Sequence, residues 1–212
     1  MTEYDHEPVR GLPGELPAGE HIIWQGSPEW RTFARSALHT RWVSAYFAAL
    51  AVLGLASGKL IGAAAAVIGG AITLGLLALF AVLVARTTVY TITNRRVVLR
   101  VGIALNKCIN LPLALIGAAN MRELGAGHGE IALVLTGSHR LGLATIWPHA
   151  RPWHLSKPQP MLRALPDAQA VAKVLAQACA AVVPNAAPAA QRSNVAPATA
   201  PVRDHGMQGA MA

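Results

Sequence analysis

The chain reads as an α+β membrane protein, a two-helix transmembrane hairpin joined to a small antiparallel β-sheet domain with a C-terminal helix. Three observations predict this. The 44-residue interval from Trp42 to Ala85 holds one charge, Lys59. Beyond Arg86 apolar residues alternate with period two, the spacing of half-buried strands. From Pro166-Asp167 to Val183 the spacing becomes helical, with Val171, Val174, Leu175, Ala178 and Val182 on one stripe.

The apolar interval would make roughly 66 Å of helix, against a hydrocarbon core of about 30 Å. One crossing leaves half of it without a home, whereas two use it up. A Lys at mid-membrane costs about 2.5–3.5 kcal/mol on insertion scales, so Lys59 belongs near the far interface, its stem directed outward. Helices are expected at about 42–60 and 65–85 with a tight turn between them. Gly54, Gly58 and Gly62 recur at i, i+4, i+8, a small-residue ridge along which a second helix, or a second copy of the chain, can approach. Abundance of Gly and Ala, with Gly62 in the turn, explains the same pattern. No Asp, Glu, His or Arg interrupts the interval, which argues against a proton relay or a cofactor ligand within the bilayer.

Orientation follows from the flanks. Arg31, Arg35 and Arg41 precede the interval and Arg86, Arg95, Arg96 and Arg100 follow it, so both chain ends are expected in the cytoplasm. No cleaved leader is expected, because the first apolar run starts about forty residues in and exceeds a cleaved core in length. Four segments result: a cytoplasmic stretch 1–41, the hairpin 42–85, a cytoplasmic domain 86–183 and a disordered Ala/Pro-rich tail 184–212.

The elements follow in order. Ile22 to Trp24 reads as a short strand ended by Gly26-Ser27-Pro28, and Trp30 to Arg41 as an interfacial helix with Trp30 and Trp42 at headgroup level. After the hairpin, 87–93 is β-branched and aromatic, Asn94-Arg95-Arg96 turns, and Val97, Leu99, Val101 and Ile103 share one face. Ile109, Leu111 and Leu113 alternate again, and Pro112 marks an edge or a strand end. Residues 118–124, 131–135 and 141–147 complete five or six strands. In Trp147-Pro148-His149-Ala150-Arg151-Pro152-Trp153-His154 the two prolines hold an extended ribbon.

Charge narrows the function. The net +8 of the whole chain matches the segment from Arg86 to Val183, where eleven Lys/Arg face Glu123, Glu130 and Asp167. Such a segment beside an anionic leaflet gains about 1 kcal/mol per basic residue near the surface. Positive-inside bias and solubility account for most of that charge, and no finger, helix-turn-helix or RNP pattern points to nucleic acid. GxSxG, HExxH and a phosphate loop ahead of a helix are missing too, so no enzyme and no cofactor is expected. His149 and His154 stand five apart on a Pro-rich ribbon without a third ligand, which excludes a convincing metal site. Cys108 and Cys179 lack any metal spacing and are expected to stay thiols, while Asp167 is placed to cap the last helix.

Two surfaces stand out as candidate contacts. Trp147, His149, Arg151 and Trp153 combine large apolar area with directional donors, as interface hot spots do, and packing of both rings onto the sheet competes with that reading. Asn94, Arg95 and Arg96 are candidates for lipid phosphates or acidic partner segments, in competition with a merely solvated turn.

Two passages resemble the bacterial pleckstrin-homology-like domain family: 16–20 with 24–30, and 88–97 followed by Gly102-Ile103. The passage 147–153, with 160–168, is similar to the PuhB-type photosynthetic complex assembly proteins of purple phototrophic bacteria. That resemblance implies a non-enzymatic factor of the bacterial inner (intracytoplasmic) membrane that helps assemble the reaction centre and core light-harvesting complex. Two other roles compete with it, a module reading an anionic lipid surface and a pigment-delivery protein. Pigment delivery is disfavoured because His39, at the interface, is the one nearby imidazole for a bacteriochlorophyll magnesium.

Overall fold

The computed structural model describes residues 11–12, 14–103, 105–137 and 141–182. Expectations for the tail 184–212 and for Val183 lie outside the described residues.

Strand β1 (Ile22–Gly26) and helix α1 (Trp30–Ser36) precede a helical hairpin, α2 (Thr40–Ala56) and α3 (Leu60–Thr87). Glu29 starts α1 by accepting the amides of Arg31 at 2.9 Å and Thr32 at 2.6 Å. A break at Ala37–His39, with His39 in left-handed backbone, turns the chain by 63° into α2. The hairpin turns through Ser57, Gly58 and an exposed Lys59. Both helices begin earlier than expected from sequence. Among the described residues α3 alone is long and apolar enough to cross a membrane by itself, and α1 with α2 reaches that standard only as a bent pair.

The expected ridge of glycines does not form, because Gly54, Gly58 and Gly62 share no continuous helix. Gly58 takes φ +68 in the turn, where it needs the freedom of a missing side chain, and Gly62 meets only Lys59. Close approach occurs inside the hairpin instead. A Cβ on Gly54 would lie 2.9 Å from the Ala63 amide nitrogen, and one on Gly70 would lie 2.9 Å from Phe47 Cβ.

The β-sheet body has two antiparallel sheets. The first, in the order β1-β2-β3-β4, adds β2 (Val89–Thr93), β3 (Arg96–Val101) and β4 (Lys107–Pro112). Pro112 ends its edge strand, where a missing amide costs no ladder bond. The second, in the order β5-β6-β7, contains β5 (Ile116–Gly125), β6 (His128–Leu135) and β7 (Met161–Leu165). Helix α5 (Ala168–Val182) lays Val171, Leu175 and Ala178 on a core that includes Tyr90, Ile92, Leu99, Ile131 and Leu162. Val182, expected on that stripe, is exposed at its end. Asp167 precedes α5 in left-handed backbone, and its carbonyl accepts the Val171 amide.

Two strand expectations need correction. Residues 141–147 hold a one-turn helix, α4 (Leu143–Ile146), in which the Trp147 amide donates to the Leu143 carbonyl. The central strand β6 already has β5 and β7 on its two edges and leaves no place there for this segment. Conversely, β7 escapes sequence reading because all five of its residues are buried, so no alternation shows. The first sheet is also assembled across the hairpin: β1 pairs with β2 through Trp24↔Ile92 and Gly26↔Tyr90. The body therefore includes chain from before α2 as well as from after Arg86.

Candidate functional site

The last turns of α3 do not stand apart from the body. Ala81 and Val84 are buried among Phe33 and Ala34 of α1 and Ala164 of β7. The Glu29 amide donates to the Ala164 carbonyl at 2.8 Å and fastens α1 to β7. These elements form a collar around the end of the helix.

His149 is the polar centre of this collar and is fully buried. The Arg163 amide donates to the Tyr90 hydroxyl at 3.1 Å, and that hydroxyl lies 2.7 Å from His149 Nδ1. The Tyr90 proton then goes to Nδ1, which leaves Nε2–H to donate to Thr88 Oγ1 at 3.2 Å. The Phe33 ring lies 5.8 Å from the imidazole. Burial, with Arg163 nearby, pushes the His149 pKa down to about 3 and keeps the ring neutral. Burial likewise raises the Tyr90 phenol. His149 thus joins the end of α3, β2 and α1, and it is not the surface contact expected from sequence. Among the described residues no three His, Cys, Asp or Glu side chains gather as metal ligands.

The rest of the ribbon divides. Trp147 sets its ring 5.7 Å from that of Phe80 on α3 in a tilted contact, yet stays 59% exposed. Trp153 is 93% exposed and holds φ 65, a left-handed conformation that costs a bulky residue about 1–2 kcal/mol. Arg151 donates to Gln159 Oε1 at 3.0 Å, and its amide bonds the Gln159 carbonyl. Arg151, Pro152, Trp153 and His154 wall a cleft of about 320 Å³ against Asn120, Met121, Arg122 and Glu130. Glu130 is buried there and bonds the exposed Arg122 at 2.6 Å. Its other carboxylate oxygen and Arg163 Nε are buried without a hydrogen-bond partner.

Asn94, Arg95 and Arg96 also separate. Arg96 grips Glu20 through two bonds of 2.7 Å, and Thr93 donates to the same carboxylate at 2.9 Å. The Arg96 hydrogen bond holds the Glu20 carboxyl below its ordinary range. Asn94 accepts the His21 amide at 3.1 Å and donates to the Gly19 carbonyl at 2.9 Å. Both residues clasp the chain entering β1, so their side chains are engaged within the chain rather than offered to lipid or a partner, and Arg95 is the exposed member of the three. Sequence reasoning missed this clasp and the Tyr90–His149–Thr88 node.

Two small antiparallel sheets closed by a C-terminal helix define a β-sheet body of pleckstrin-homology type, here mounted on a helical hairpin. The chain belongs to the bacterial PH domain family, which it matches over residues 45–178. A Rhodobacter capsulatus protein described as "Uncharacterized 23.7 kDa protein in puhA 5'region" is 38% identical over 189 residues, spanning 84% of this chain and 88% of its own. A Shewanella loihica structure of the DUF1696 family with a pleckstrin-homology domain is 15% identical with a TM-score of 0.31, over 43% of this chain and 70% of its own.

Proposed function

We propose that this chain is a non-enzymatic inner-membrane assembly factor for the photosynthetic reaction centre and core light-harvesting complex. The observation that carries this reading is the relative named for its place 5' of puhA, 38% identical over most of both chains. The passages 147–153 and 160–168, similar to PuhB-type factors, agree with it.

In this reading α2 and α3 cross the membrane together. Support comes from the pairing of β1, before the hairpin, with β2, after it, which keeps both on one side of any membrane between them. If α3 crosses, the chain must cross a second time, and α2 is the segment between. The basic flanks put that side in the cytoplasm. Newly inserted subunits would meet the exposed faces of the hairpin, while their soluble ends meet Trp153, Arg151 and the cleft beside them.

Deleting the gene in a phototroph should lower assembled core complex with pigment synthesis intact, read from absorption spectra of membranes and from native gels. Unchanged core-complex levels would overturn the reading.

A further inference from the structure

Phe80 lies twenty residues beyond Leu60 on α3, about 30 Å along the axis and so about one hydrocarbon thickness from the outer turn. At that level the helix carries a part of the body with it. The Trp147 ring meets that of Phe80 at 5.7 Å, tilted by 41°, and both rings line an open cleft of about 190 Å³ with Ile103, Val84 and Pro148. Leu143, one turn before Trp147 in α4, is exposed, as are Ile103 and Trp147. Arg86, six residues past Phe80, is exposed at what would be headgroup depth. The backbone that carries Trp147 is anchored nearby, since His149 two residues later is bonded to Thr88 and Tyr90 at the end of α3.

We propose that Trp147, with Leu143 and Ile103 beside it, is inserted into the monolayer from which α3 emerges, so that the body is seated on the bilayer. Trp prefers the zone where an apolar ring meets polar headgroups. The inference rests on the reading of α2 and α3 as a membrane hairpin.

The test uses the full chain in phosphatidylcholine–phosphatidylglycerol vesicles containing dibrominated phosphatidylcholine. Of the five tryptophans, all but one are replaced by Phe in each of three variants, which retain Trp147, Trp42 or Trp24. Bromines near the headgroup should quench Trp147 and Trp42 at least about twofold more than Trp24, which sits on β1 against the core. Quenching of Trp42 without Trp147 would overturn the seated body and leave the hairpin standing, with the face open to water or covered by a second copy. If neither is quenched, the hairpin reading fails and the inference falls with it.

Discussion

His149 makes the body sensitive to mild acid. Its pKa falls from an ordinary 6.5 to about 3 in the folded protein. Below 6.5 the unfolded chain therefore binds a proton that the folded one refuses, and protonation favours unfolding. The stabilisation is complete above that value and is lost as pH falls toward 3, at up to about 1.4 kcal/mol per unit. Going from pH 7 to pH 5 should remove about 2 kcal/mol, measured by denaturant unfolding of the purified protein. His149→Gln should be weaker at pH 7 but lack this loss. Glu20 acts in a separate window: its carboxyl is held low, so its contribution is full above the ordinary carboxylate range and fades only in stronger acid. Neither role was legible in the sequence. A regular ribbon would point residues 147, 149, 151 and 153 the same way, whereas the backbone here buries His149 and exposes Trp153. The partners Tyr90 and Thr88 lie about sixty residues away, beyond any local pattern.

Among the elements, the pair of helices was the most legible, because a long apolar run broken by one charge shows in composition alone, and Lys59 falls at the turn. Its internal packing depended on which glycines face the partner helix. Gly54→Leu and Gly70→Leu drive a side chain into Ala63 and Phe47, and each should destabilise by about 1–3 kcal/mol. Gly75→Leu, with nothing within 4 Å of its would-be Cβ, should be neutral. Thermal unfolding in detergent ranks the three, and equal losses would contradict the helix contact. Alternating apolar residues revealed β3, β4 and β6, whereas β2, as buried as β7, was legible from its β-branched and aromatic residues. Alternation failed for β7, buried on both faces, and for α4, whose length is a single turn.

At the scale of the whole molecule, a boundary at residue 86 cuts through a sheet. Residues 86–182 alone lack β1, α1 and the last turns of α3, leaving the edge of β2 and the collar side of Ala164 uncovered. That fragment should show no sigmoidal melt by circular dichroism. Adding residues 12–38 through a flexible linker should restore one, and a cooperative melt of the shorter fragment would show that the N-terminal strand is dispensable. Charge and composition could delimit the oily segment, but only strand pairing reveals that the chain leaves the body and later rejoins it. During synthesis β1 leaves the ribosome more than sixty residues ahead of β2. It must wait, with one edge bare, until both helices of the hairpin have been made and the chain has returned. Closure of the sheet is thus a late event, and it latches the two ends of the helical loop together once α3 is complete.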